Sequence, residues 1–197
     1  MTMRIDHVIY ATADLDAAAL RVEAVLGVPA AGGGRHALIG THNRIVPFDD
    51  GYLELLAVAD PEEAAGSTLG AAIQAQLARD GDGLFGWAVR VDDVEPVAAR
   101  LGTAVTTIAR QGFSAHLTGV AEAMDDPLLP FFIARDPGVP GPVARPGVPA
   151  IAWLELGGEA ARLERWLGGA KLPVRVVEGG GERGVRAIGV GERELRG

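Results

Sequence analysis

The chain has no cysteine among its 197 residues, which excludes disulfides, thiolate metal ligands and thiol nucleophiles. Basic residues are outnumbered, 18 Lys and Arg against 26 Asp and Glu. The net charge of -8 argues against general binding to nucleic acid or anionic membranes. No apolar run reaches membrane-spanning length. The opening MTMRIDHVIYATADLD carries neither a long apolar stretch nor a cleavable signal pattern, so the expectation is a cytoplasmic protein with no membrane partner. Catalytic signatures are missing too. There is no Gly-x-Ser-x-Gly elbow, no phosphate loop with Gly-Lys-Ser/Thr and no His-Glu-x-x-His helix, and Gly179-Gly180-Gly181 reads as a hairpin turn.

What is present is ordinary globular composition, 48% hydrophobic and 22% charged, in a chain long enough for a substantial core. A strand–turn–helix sentence recurs along it. The first copy runs Ile5–Ala11, turns at Asp14 and closes at Leu26-Gly27. The second runs Phe85–Val91, turns at Asp93 and closes at Leu101-Gly102. A looser third runs Ile151–Leu156 and closes at Leu167-Gly168. Repetition at so long a period means duplicated supersecondary units, and such units can enclose a pocket between them.

Asp14 suits a helix N-cap, and Leu15, Ala18, Val22, Val25 and Leu26 follow at helical spacing up to Gly27. Arg35–Phe48 reads as extended and broken near Gly40. Asp49-Asp50-Gly51 reads as a tight turn, and Tyr52–Val58 as a buried strand. The first unit is therefore β-α-β-β-β over residues 1–59. Residues 60–82 form a connector with one short helix around Leu69–Ala78. A second unit spans 83–137, with Phe113–Met124 and Leu128–Arg135 both extended. A proline-rich crossing segment covers 138–149, and a partial β-α-β-β unit covers 150–197. The expected fold class is α+β, with helices on one side of curved antiparallel or mixed sheets around a cavity.

Strand alternation places Ile5, His7 and Ile9 on one face of the first strand and Asp6, Val8 and Tyr10 on the other. Glu54 shares a face with Tyr52 and Leu56 inside an apolar strand, where an unpaired carboxylate is costly. If the first and last strands of the unit are neighbours, His7 and Glu54 project side by side. They form half of an N/O site for a divalent metal, or else each satisfies an ordinary neighbour. Thr41 and Asn43 offer neutral groups that orient a ligand or satisfy a bulge near Gly40. His116 and Trp87 are further candidates for a substrate pocket. Arg135 either anchors an anionic substrate or pairs with Asp136, the simpler reading.

The motifs Ile5-Asp6-His7-Val8 with Asp14-Leu15-Asp16, Gly40-Thr41-His42-Asn43-Arg44, Gly51-Tyr52-Leu53-Glu54-Leu55 and Leu129-Pro130-Phe131-Phe132-Ile133 resemble the vicinal-oxygen-chelate superfamily, in particular its glyoxalase-like proteins. The resemblance covers residues 4–190. It implies paired β-α-β-β-β modules around a cavity, with metal ligands on the first and last strands of each module, hence His7 and Glu54. In the second module Gly86 stands where a histidine belongs, and Phe131 and Phe132 where a carboxylate belongs. The expectation is a small-molecule-binding protein, monomeric or homodimeric, with at most one weakly held divalent metal. It is either an enzyme of lyase, isomerase or dioxygenase type with Glu54 as catalytic base or ligand, or a metal-free sequestering protein of the resistance type.

Overall fold

A computed structural model describes residues 2–110, 113–136, 138, 147–181 and 183–197. β1 (Arg4–Ala11) leads into α1 (Leu15–Leu26), which the Asp14 carboxylate caps by accepting from the amides of Asp16 and Ala17. Gly27, at φ 71°, ends the helix in left-handed geometry. β2 (Arg35–His36), β3 (Thr41–Pro47) and β4 (Tyr52–Val58) complete the first unit. The connector holds two helices where one was expected. Pro61 and Thr68 each follow a capping residue, Asp60 and Ser67, giving α2 (Pro61–Ala65) and α3 (Thr68–Arg79).

The second unit is β5 (Gly83–Arg90), α4 (Glu95–Leu101), β6 (Val105–Arg110), β7 (Phe113–Thr118), α5 (Val120–Asp125) and β8 (Phe131–Arg135). The expected extended stretch over Phe113–Met124 is corrected: the strand stops at Thr118 and a helical turn follows Gly119. Most of the proline-rich segment lies outside the described residues. The C-terminal part is β9 (Ile151–Gly157), α6 (Ala160–Leu167), β10 (Val174–Val177), β11 (Gly184–Val190) and an unanticipated β12 (Arg193–Arg196).

The first eight strands form one sheet in the order β2-β3-β4-β1-β5-β8-β7-β6. In each half the first strand lies parallel to the last, β1 with β4 and β5 with β8, and the halves join where β1 runs antiparallel to β5. This is the paired β-α-β-β-β arrangement expected from the sequence, curled into a half-barrel.

The two faces carry different cores. Val8, Tyr10, Leu53, Leu55, Trp87 and Phe132 pack on one face with α1, α4 and the C-terminal four-stranded sheet, which contributes Leu154, Leu156, Val185 and Ile188. Ile9, Leu56, Ala88, Phe131 and Ile133 pack on the other with Ile73 of α3 and Ala123 of α5. Helices therefore cover both faces, not one side as expected. α3 and α5 close much of the inner, curled face, where a cavity was anticipated. Burying each large apolar side chain there is worth roughly 1.5–3 kcal/mol, so these helices are firmly seated. No helix among the described residues is long and apolar enough to cross a membrane.

Candidate functional site

Part of the inner face is polar. Its geometry starts from a register shift between β1 and β5: Ile5 lies opposite Val89 and His7 opposite Ala88, leaving Asp6 as an extra residue. Such a bulge breaks strand alternation. Asp6 and His7 consequently reach each other, contrary to the opposite faces that alternation implies, and His7 Nδ1 donates to Asp6 Oδ2 at 2.8 Å. Both side chains are almost wholly buried.

Arg135, from the end of β8, donates from Nη1 and Nη2 to the two oxygens of Asp6 at 2.6 and 2.7 Å. It does not take the Asp136 partner favoured by sequence proximity. Burial alone would raise the Asp6 carboxyl, but the hydrogen bonds from His7 and Arg135 outweigh it and hold the group far below the usual carboxylate range. Burial likewise disfavours the Arg135 cation, yet Asp6 overcomes this and raises the guanidinium above its ordinary value. An ionised Asp6 can only accept, so His7 Nδ1 is the donor of this pair, and in the neutral imidazole Nε2 is the nitrogen left to accept.

His7 Nε2 faces Glu54 Oε2 at 3.7 Å, beyond hydrogen-bond reach. β4 lies beside β1 with Glu54 opposite Ile9, which brings these side chains together as the sequence pattern anticipated. The other carboxylate oxygen, Oε1, accepts from Asn43 Nδ2 at 2.5 Å. Asn43 is itself fixed, since its Oδ1 accepts from the Gly34 amide at 2.9 Å. The neighbouring turn approaches so closely that a Cβ on Gly33 would sit 1.8 Å from the Asn43 carbonyl oxygen. Thr41 binds His36 Nδ1 at 3.0 Å, and His36 Nε2 comes within 3.9 Å of Glu54 Oε1.

Two rings clamp the imidazole. Tyr52 stacks on it at 4.7 Å and an interplanar angle of 17°, and Phe131 meets it edge-on at 5.5 Å. Burial, then the charges of Asp6 and Glu54, push the Tyr52 phenol well above its ordinary range, so it stays neutral. His7, Glu54, Thr41 and Asn43 thus come together. Trp87 and His116 do not join them. Trp87 is fully buried in the opposite core, its indole N–H donating to the Leu128 carbonyl at 3.2 Å. His116 is bound by Thr107 and Asp136 at 3.0 and 2.9 Å. Asp6, His36, Tyr52, Phe131 and Arg135 join the site without having been chosen for it. The Ile5-Asp6-His7 run held the only local hint, because a second polar residue in a buried strand invites a bulge.

The donor set does not suit a resident divalent metal. Among the described residues no three His, Asp, Glu or Cys side chains form a metal-holding group. His7 Nδ1 is committed to Asp6, and the corresponding positions of the second half are Gly86 and Phe131. Aromatic rings, not further donors, surround the imidazole.

Paired β-α-β-β-β halves with a polar site on the inner face of a curled sheet define a vicinal-oxygen-chelate protein. The chain belongs to the glyoxalase-like domain family, whose model matches residues 5–170. No curated protein matches it. A hypothetical protein from Staphylococcus aureus has a similar fold, with a TM-score of 0.69 and 16% identity over 93% of this chain and 88% of that one. Methylmalonyl-CoA epimerase from Mycobacterium tuberculosis is similar at TM-score 0.51 and 21% identity, covering 71% and 89%. A methylmalonyl-CoA epimerase bound to methylmalonyl-CoA and NH4+ gives TM-score 0.52 and 21% identity over 72% and 100%.

Proposed function

We propose that this protein binds a small carbonyl compound on the inner face of the sheet and moves a proton at the carbon beside the carbonyl, with Glu54 and His7 as the acid–base pair. One observation carries the reading: Nε2 of His7 and Oε2 of Glu54 face each other 3.7 Å apart, each held from behind. Asp6 fixes the imidazole and Asn43 fixes the carboxylate. Two preorganised acid–base groups side by side, each held from behind, suit the removal and return of a proton at a carbon beside a carbonyl. No metal is required for these steps.

The test incubates the protein in D2O with a panel of small carbonyl acids and acyl thioesters. Methylmalonyl-CoA, the compound bound in one protein of similar fold, is among them. Deuterium uptake beside the carbonyl, followed by NMR and lost in Glu54→Gln, supports the reading. Tight binding of a panel member without any uptake favours instead the sequestering role.

A further inference from the structure

Two histidines flank one carboxylate. His7 Nε2 lies 3.7 Å from Glu54 Oε2, and His36 Nε2 lies 3.9 Å from Glu54 Oε1. Their Nδ1 atoms are held differently. Asp6 only accepts from His7 Nδ1, whereas the Thr41 hydroxyl, 3.0 Å from His36 Nδ1, is able to donate. If neutral His36 carried its proton on Nδ1, the Nε2 lone pair would face Glu54 Oε1, acceptor against acceptor. Donation from Thr41 to Nδ1 instead aims the His36 Nε2–H at the carboxylate, the favourable arrangement. Glu54 then has an acceptor nitrogen on one side, from His7, and a donor on the other, from His36.

His36 and Thr41 are paired across β2 and β3 at the two ends of one tight turn. The turn is pinned. The His36 carbonyl accepts from the Ile39 amide at 3.2 Å, and the Gly40 carbonyl accepts from the amides of Ala59 and Asp60 at 2.8 and 3.1 Å. Ser67 Oγ donates to the Ile39 carbonyl at 3.1 Å. Within the turn Leu38, a non-glycine residue, is held at φ 69°. Strain of this kind persists only where the surroundings over-determine it, and it gathers at functional sites. Thr41 is fully buried. The His36 side chain is 19% exposed, against 11% for Glu54 and 5% for His7, so a compound entering from solvent meets His36 first.

We propose, building on the proton-transfer reading of the inner face, that His36 is the electrophile of the site, its Nε2–H donating to the carbonyl oxygen of the bound compound. When the C–H bond beside the carbonyl breaks, its proton passes to the Glu54–His7 pair and its electron pair moves toward the carbonyl oxygen. The negative charge arising there is met by the His36 N–H, and return of the proton reverses both movements. His36 neither gains nor loses a proton. A neutral imidazole fixed in advance is sufficient for this role. At 3.9 Å, His36 Nε2 and Glu54 Oε1 are too far apart to satisfy each other. A planar carbonyl group fits between them with its oxygen at the ring and the adjacent carbon at the carboxylate.

The experiment uses protein labelled with ring-15N histidine and titrated with ethylnitronate, the anion of nitroethane, whose charged oxygens mimic an enolate. Before titration, His36 is expected to show a protonated Nε2 and a bare Nδ1, a preference that Thr41→Val loses. Ethylnitronate is expected to move the His36 Nε2–H resonance saturably, and neutral nitroethane to move it much less. His36→Leu weakens nitronate binding about 10- to 100-fold, the worth of a hydrogen bond to a charged group. His36→Gln, whose side-chain amide reaches a similar position, weakens it less. His7 ring signals that stay in place show that each variant keeps the folded site; where a variant does not fold, the wild-type His36 ring spectrum decides. Glu54→Gln keeps the nitronate response, so failure of every carbonyl compound to take up deuterium refutes proton transfer and leaves the His36 assignment standing. A bare Nε2 on His36 in the free protein, no saturable shift with ethylnitronate, or undiminished affinity in folded His36→Leu overturns the assignment.

Discussion

Asp6 and His7 are consecutive residues of one strand, yet their side chains meet at 2.8 Å because Asp6 is the extra residue of a bulge. That single irregularity turns a buried acid into the group that fixes the histidine. It also places the acid within reach of Arg135, 129 residues further along the chain.

Removing one member of this buried array should cost much more than an exposed ion pair would. Asp6→Asn leaves the Arg135 cation buried without its anion, and a loss of about 3–5 kcal/mol is expected. Urea denaturation of wild type and variant measures it. A change below about 1 kcal/mol would show that water compensates Arg135.

The same carboxylate makes stability acid-sensitive. Its folded-state pKa is depressed, so its contribution is fully present above the ordinary carboxylate range and is lost progressively as pH falls below it. Urea midpoints collected from about pH 6 down to about pH 3 should fall more steeply for wild type than for Asp6→Asn.

Tyr52 works in the opposite direction. Its pKa is raised, so its contribution is intact below the usual phenol range and is lost as pH rises through and beyond it. Absorbance titration of the phenolates is expected to show Tyr52 ionising only together with unfolding. Tyr52→Phe removes that step.

Gly40 sits at φ 70°, and a Cβ there would lie 2.2 Å from the backbone nitrogen of Ala64 and 2.6 Å from the Asp60 carbonyl oxygen. Gly40→Ala combines backbone strain with a clash that no side-chain rotation relieves, and a loss of roughly 1–3 kcal/mol is expected. Because Thr41 and His36 flank this turn, the variant should also shift the His36 ring resonances, whereas Gly81→Ala, with open space around it, should not.

Much of the fold was legible because it is written in local chemistry. Asp14 and Gly27 bracket a helix in sequence as in structure, and the later Leu101-Gly102 closure ends α4 in the same way. The meeting of His7 and Glu54 followed from strand faces and one assumed neighbour relation, which the β1–β4 pairing supplies. The Asp6 bulge was only hinted at by two adjacent polar residues in a buried strand, because alternation does not say where one residue will be skipped. Arg135 was misassigned to Asp136 because sequence proximity cannot compete with a buried fork to Asp6. The inner-face positions of α3 and α5 were also out of reach: an apolar helix stripe shows that it is buried, not against which face. Trp87 was ambiguous for the same reason, and its alternation with Ala88 sends it into the opposite core.

The claim that Glu54 and His7 move a proton without a resident metal is tested most directly by deuterium uptake in chelator-treated protein, using the panel compound that exchanges fastest. The account predicts an undiminished rate after chelation and a fall of about 10²–10⁴-fold in Glu54→Gln, the usual worth of a positioned acid–base group. Uptake that vanishes on chelation and returns with a divalent ion, or that proceeds at the wild-type rate in Glu54→Gln, would contradict it.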